Sequence, residues 1–268
     1  MSNQPVNLAI SGAAGRMGKR LIALASDDNS LKITAAVESK EHPSIGLDAG
    51  ALAGIQAIEI PFASNYPDEV DVVIDFSHPE GAASAVSHCL SHHKPLVMAT
   101  TGLDVSIIEE IHKAAEQIAV VWAPSMSLAV NLTMKLVETA GQALKDHVTG
   151  VDVEIIEKHH RFKADAPSGT ALKFGEIVAQ TMGQTHHQHG REGLVGERPK
   201  NEIGYHAVRT GDNPGAHTIH FGMLGEAIEL NVSASNRDCY AIGALAAAKF
   251  VASKPPGLYN MFDVLGLN

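Results

Sequence analysis

The chain has 268 residues, 45% of them apolar and 19% charged, which suits one large domain or two smaller ones with a sizeable core. Only 4% is aromatic, so the core is built from Ala, Val, Ile and Leu, which favours helices on a largely parallel sheet over an aromatic-rich sandwich. A formal charge of −10 repels nucleic-acid phosphates and anionic lipid headgroups, and no apolar run reaches membrane-spanning length, so neither partner is expected.

In chain order, Val6 to Ser11 alternates apolar and small residues as a short strand, which stops at Gly12. Arg16 to Ala25 continues as a helix and Lys32 to Glu38 as a second strand, a unit of the length of a mononucleotide-binding half. Val70 to Phe76 is nearly all apolar, as a strand buried on both faces must be. A helix from Ala82 to Leu90, a strand from Pro95 to Ala99, a helix from Val105 to Glu116 and a strand from Ile118 to Trp122 follow. This alternation predicts a doubly wound parallel sheet.

The pattern changes near Pro124. A helix over Val130 to Leu144 carries Leu132, Leu136 and Val137 on one side, and Val151 to Glu157 alternates as a half-exposed strand. After a helix from Thr170 to Met182, the polar Gly183 to Lys200 has little periodicity and is expected to be a long surface loop. Its His186-His187-Gln188-His189 run lacks the separated carboxylate or cysteine partners of a zinc centre, so no metal is expected. Strands are predicted at Gly204 to Arg209, His217 to Gly222 and Ala227 to Ser233, then an Ala-rich helix from Tyr240 to Ala252 that Pro255 and Pro256 end. His92-His93 complements the end of its predicted helix. Cys89 and Cys239 have no metal-type spacing and read as reduced, buried thiols; with no basic-then-apolar leader in residues 1–5, a soluble cytoplasmic protein is expected.

Two stretches carry chemistry. Gly12-Ala13-Ala14-Gly15-Arg16-Met17-Gly18 lies between a predicted strand and helix, where glycines let the backbone approach a pyrophosphate and free helix N–H groups meet its charge. The spacing is G-x-x-G-x-x-G, a modest signal alone. Glu38 ends the next strand, where an acid can accept hydrogen bonds from an adenosine ribose. The second stretch, Glu154 to Ala171, sets His159, His160 and Lys163 before a Pro167-Ser168-Gly169-Thr170 helix start. Proton donors and open backbone N–H groups suit a carboxylate-bearing substrate that is protonated beside them.

This second stretch resembles the signature of the 4-hydroxy-tetrahydrodipicolinate reductase family, E-x-x-E-x-H-H-x-x-K-x-D-x-P-S-G-T-A. The likeness runs the full length, through the glycine loop, Asp75-Phe76-Ser77 with Pro79-Glu80-Gly81, Thr100-Thr101-Gly102 and the closing Gly257-Leu258-Tyr259 with Met261 and Asp263-Val264-Leu265. It implies an α/β fold: a Rossmann-type doubly wound sheet over residues 1–126 plus 237–268, and a second α+β domain with a mixed sheet over 127–236 for substrate binding and oligomerisation. The implied reaction uses NADH or NADPH to reduce the cyclic product of dihydrodipicolinate synthase, a small dicarboxylate, to tetrahydrodipicolinate in lysine and diaminopimelate biosynthesis. A homotetramer is implied.

By the same resemblance His159 is the proton donor and acceptor and Lys163 a second proton donor, while His160, Ser168, Gly169 and Thr170 contact substrate carboxylates. Gly12, Ala13, Ala14, Gly15, Arg16, Met17, Glu38, Ala99, Thr100, Thr101, Ala123, Pro124, Ser125 and Met126 match cofactor contacts. Some positions depart from the family: Ser125 stands for its Asn, Ala129 and Ala99 for glycines, and Ser39 for an Arg directed at a 2′-phosphate. Rival readings are another two-domain amino-acid or semialdehyde dehydrogenase, and a non-catalytic nucleotide sensor.

Overall fold

Short apolar runs bounded by glycine and polar turns become strands, and the longer Ala- and Leu-rich runs between them become helices. The computed structural model describes residues 4–267. The chain divides into two compact units, one holding residues up to 128 together with those from 237 onward, the other Ala129–Asn236.

The first unit runs β1 (Val6–Ser11), α1 (Arg16–Ser26), β2 (Leu31–Val37), α2 (Ala49–Ala53), β3 (Phe62–Ala63), β4 (Val72–Asp75), α3 (Pro79–Ser91), β5 (Leu96–Met98), α4 (Val105–Ala115) and β6 (Ala119–Trp122). The second holds α5 (Leu128–Leu144), β7 (Asp152–His159), α6 (Gly169–Met182), β8 (His186–His189), β9 (Glu202–Arg209), β10 (Ala216–Met223) and β11 (Glu226–Ser233). The chain then returns to the first unit as α7 (Asp238–Val251), β12 (Gly257–Tyr259) and α8 (Met261–Leu265).

The seven-stranded sheet has the order β12-β6-β5-β4-β1-β2-β3, with every neighbouring pair parallel. This is the Rossmann-type order, whose direction reverses between β1 and β4 and opens a crevice at the carboxyl ends of those strands. One face packs on α1 and α7 through Leu21, Ile22, Ala244, Ala248 and Val251. The other packs on α3 and α4 through Ala85, Val86, Ile107 and Ile111. Neither Cys89, which is buried, nor Cys239, which is half-buried, forms a disulfide.

The five-stranded sheet has the order β11-β10-β7-β9-β8 and is mixed: β7 pairs parallel with β9 and antiparallel with β10. Along β7, Val153, Ile155, Glu157 and His159 fall on one buried face. Two apolar positions are thus followed by two titratable ones under the same cover. α6 lies over this face, with Ala171, Phe174 and Val178 buried.

Three features differ from the sequence expectations. His186–His189 is the edge strand β8, not loop: its backbone pairs with β9, and the His187 and His189 rings stack on Tyr205. On α5, Leu132 and Leu136 are 42% and 45% exposed, while Met134, Val137 and Gly141 are buried. Close approach of α6 selects that face, since a Cβ on Gly141 would meet Thr181 Oγ1 at 2.4 Å. Finally, residues 49–63 and 257–265 contain elements of two to five residues, too short for a periodic pattern to mark them.

Phe174 is fully buried on the inner side of α6, with its ring 5.9 Å from that of His217. Phe174→Ala should therefore cost about 3–5 kcal/mol, from lost transfer energy and a residual cavity. Urea unfolding measures it as a lower midpoint; a midpoint unchanged from wild type would contradict this packing.

Candidate active site

In the first unit the site begins where β1 ends. Gly12 has φ +71°, and a Cβ there would lie 2.5 Å from the Phe76 carbonyl oxygen, so the turn and its closeness to the β4–α3 loop both demand glycine. Gly15 is the N-cap of α1 and brings no side-chain cap, so N–H groups of the first turn keep their capacity for an anion. Glu38 Oε1 accepts the Ala14 N–H at 2.8 Å, which anchors the carboxylate against the loop.

A cleft of about 1230 Å³ opens here, lined by Gly12, Ala14, Gly15, Arg16, Met17, Glu38, Ala99, Thr100 and Thr101. Arg16, Lys19 and Lys40 face it against Glu38 and Glu80, so local positive charge offsets the acidic whole. Asp75, fully buried at the end of β4, ties the next two loops together. It accepts from Ser77 Oγ at 2.8 Å and from the Thr100 hydroxyl, which in turn accepts the Ser77 N–H at 2.8 Å.

In the second unit three neighbouring strands set four polar side chains together. Register places His159 opposite Arg209 on β9 and Glu157 opposite His217 on β10. Glu157 is 1% exposed and all its acceptor capacity is used. Oε2 takes His159 Nδ1 at 2.6 Å and Arg209 Nη1 at 2.7 Å. Oε1 takes the Ser168 N–H at 3.1 Å and Arg209 Nη2 at 2.7 Å. Burial would raise this carboxyl, but hydrogen bonds from Arg209 and His159 and their charges outweigh it and hold Glu157 below the usual carboxylate range.

His217 Nε2 lies 3.0 Å from Ser168 Oγ, and its ring meets His159 edge-on at 5.2 Å between centroids. Burial, then the neighbouring His159, push His217 down to about 4. The ring is therefore neutral near pH 7 and shares one hydrogen bond with the Ser168 hydroxyl, while Ser168 Oγ accepts the Ala171 N–H at 3.2 Å as the cap of α6. Lys163 pairs with Asp165 at 2.8 Å, and His160 Nδ1 is buried with no hydrogen-bond partner.

The expected site residues thus gather in part. Gly12, Ala14, Gly15, Arg16, Met17, Glu38, Ala99, Thr100 and Thr101 share the cleft, whereas Ala13 is buried beneath it. Ala123 and Met126 are buried in the core, Ser125 is half-buried and Pro124 exposed; none of the four lines that cleft. His159, Ser168 and the start of α6 come together through Glu157. Ser168 is 2% exposed, with its N–H and hydroxyl both engaged, while Gly169 is exposed and Thr170 half-buried. Glu157, Arg209 and His217 received no role from sequence. Charged or titratable residues on the buried parity of a strand were the available signal for Glu157; for Arg209 and His217 only the register supplies it.

Models of dihydrodipicolinate reductase match both parts of the chain, the N-terminus at residues 6–126 and the C-terminus at 129–265. The 4-hydroxy-tetrahydrodipicolinate reductase of Rhodopirellula baltica is 56% identical over 275 residues, spanning 100% of this chain and 98% of that protein. A dipicolinate-bound dihydrodipicolinate reductase from a Paenisporosarcina species has the same fold, with TM-score 0.79 at 24% identity over 97% of this chain and 98% of that one. An amine dehydrogenase from Mycobacterium smegmatis follows with TM-score 0.64 at 11% identity, over 97% and 95%.

Between pH 6.5 and 4 an unfolded chain protonates the residue-217 imidazole, whereas the folded one keeps it neutral. Stability from this group is therefore whole above pH 6.5 and drains away as pH falls to about 4, on the order of 3 kcal/mol. Urea midpoints should fall across that interval, and His217→Gln should flatten the fall; an equal slope in both proteins would refute it.

Proposed function

The chain belongs to the dihydrodipicolinate reductase family, and from that premise we propose how its residues divide the reaction. It is an oxidoreductase that reduces 4-hydroxy-tetrahydrodipicolinate in the lysine and diaminopimelate pathway with a nicotinamide cofactor. The readings as an amino-acid dehydrogenase, a semialdehyde dehydrogenase or a nucleotide sensor give way to that membership.

We assign cofactor binding to the first-unit cleft. The open first turn of α1 and Arg16 suit a pyrophosphate, and Glu38 suits ribose hydroxyls. NADH or NADPH, when bound, supplies the hydride. Ala99, Thr100 and Thr101 complete the wall, with Thr100 held by Asp75. By the family resemblance, Ala13 and the segment Ala123 to Met126 contribute through backbone groups.

His159 is the proton donor in this reading. Reduction of a conjugated carbon–carbon bond ends with protonation of the carbon beside the one that gains hydride. An imidazole does this well near neutrality, because its ordinary pKa lies near about 6.5. Lys163 and the N–H groups of Gly169 and Thr170 hold the substrate carboxylates and steady the charge that develops toward them. Asp165 is largely exposed, so substrate can displace it from the Lys163 ammonium. By the family resemblance His160 adds a further contact to the substrate carboxylates, and Lys163 is a second proton donor. Ser168 serves by capping α6 and aiming that turn. The observation that carries this reading is the carboxylate-backed imidazole beside a helix start in a nearly buried setting.

The family resemblance also supports a homotetramer. Val208, Leu224 and Ile228, exposed at 39%, 82% and 40%, give the second unit apolar surface for other copies to cover.

A spectrophotometric assay coupled to dihydrodipicolinate synthase, run with each nicotinamide, tests the assignment. His159→Gln should bind NADH normally and lose on the order of 10²–10⁴ in kcat; a wild-type kcat removes His159 from the acid role. Lys163→Ala should raise the KM for the dicarboxylate and lower kcat together. Wild-type kinetics would reduce Lys163 to a surface charge.

A further inference from the structure

We propose that Glu157 is a positioning residue for the proton donor: it locks the His159 imidazole with Nδ1 protonated and Nε2 as the atom that delivers the proton, and Arg209 keeps the carboxylate charged for that task. The inference deepens the assignment of His159 and rests on it.

Three observations carry it. First, Glu157 Oε2 lies 2.6 Å from His159 Nδ1, and an ionised carboxylate can only accept, so Nδ1 must donate. The neutral ring left after proton transfer is then the Nδ1–H form, with its lone pair on Nε2. Second, Arg209 grips both carboxylate oxygens at 2.7 Å and also donates to the Asp165 carbonyl at 2.6 Å. A bidentate guanidinium cannot release its proton, so the carboxylate stays charged while the imidazole changes charge. Third, Nε2 faces a position that carries no side chain. The residue beside it is Gly215, and a Cβ there would stand 3.0 Å from Nε2. Gly215 has φ +144°, a conformation that disfavours other residues in any case.

The step balances simply. The Nε2–H bond of the imidazolium breaks, its proton joins the substrate carbon, and the bonding pair remains on Nε2 while Nδ1–H stays donated to Glu157. Other groups do not compete for the proton. His217 on β10 is neutral and committed to Ser168. Lys163, on the loop beyond β7, is engaged by a carboxylate, Asp165 here and the substrate's in our assignment, and Arg209 on β9 is committed to Glu157. At the start of α6 the Ser168 N–H and hydroxyl enter the cluster, and the Phe174 ring beside His217 brings no proton. Glu157 thereby joins the proton donor to the cap of the helix that carries Gly169 and Thr170. A shift in one is felt by the other.

The test is Glu157→Gln, with kcat, KM and pH profiles measured beside His159→Gln. A glutamine can turn its amide NH2 toward Nδ1 and favour the other tautomer. The expected result is a kcat loss on the order of 10²-fold, an unchanged KM for the nicotinamide, and an alkaline limb of the kcat profile moved to lower pH. A merely structural role would not move that limb. Should the variant fail to fold, 15N spectra of the wild-type imidazoles decide instead. A neutral His159 protonated at Nδ1 supports the proposal, and one protonated at Nε2 overturns it. A folded Glu157→Gln with wild-type kcat and pH limb also overturns it, even where His159→Gln is inactive; if His159→Gln is itself fully active, the underlying assignment falls instead.

Discussion

The second unit is organised around one buried negative charge. An ionised carboxylate removed from water is costly unless every acceptor position is filled, and Glu157 meets that requirement with His159, both nitrogens at the end of Arg209, and the Ser168 N–H. Those partners come from β7, β9 and the turn that starts α6. Satisfying the charge therefore fixes the strand register at β7–β9 and the position of the helix at once. Breaking one arm of such a buried pair typically costs about 3–5 kcal/mol, because the remaining charge is stranded. The groups to which we assign substrate binding and protonation are consequently held by the same contacts that hold the fold.

The pleat of β7 shows why position, not residue type, decides what a carboxylate does. Glu154 is three residues from Glu157 and points to the opposite face. There it meets Arg191 at 2.6 Å, Arg198 at 3.0 Å and His206 at 2.7 Å, with Glu202 and Asp152 close by. Burial opposes ionisation, but the hydrogen bonds from Arg191, His206 and Arg198 prevail and hold Glu154 down at about 2. That network fastens the segment after β8 across the sheet, a structural task. Glu157, beneath α6, makes four hydrogen bonds to three residues, and its imidazole partner is His159, the one set beside the start of α6 to which we assign the proton transfer.

Much of this was legible before any coordinates. The glycine loop, the apolar strands and the Ala-rich helices are local patterns, and local patterns survive folding because burial demands them. His159, Ser168 and Gly169 could be singled out as one candidate group because they lie close in sequence. Arg209 and His217 were not, since their meaning comes from strand pairing over roughly fifty residues, which no periodicity encodes. His186 to His189 escaped for another reason: a polar edge strand is held by backbone pairing with β9 and by stacking on Tyr205, neither of which leaves an apolar alternation. On α5 the error had a simple source. Leu132 and Leu136 are the larger apolar residues, yet Gly141 admits α6 closely and so selects the face that is buried.

The route of the chain has a consequence for synthesis on the ribosome. The first unit needs α7, whose Ala244, Ala248 and Val251 close one face of the parallel sheet, and β12, which completes its edge. Those elements follow the whole of Ala129–Asn236, so six parallel strands emerge with that face covered by α1 alone while more than a hundred further residues are still being added. The continuous second unit has no such wait. Its sheet and helices are complete in one stretch, and they emerge before the flanking unit has its last layer. The nascent chain therefore spends its most aggregation-prone interval with the β4, β5 and β6 apolar surface open, until residue 251 is made.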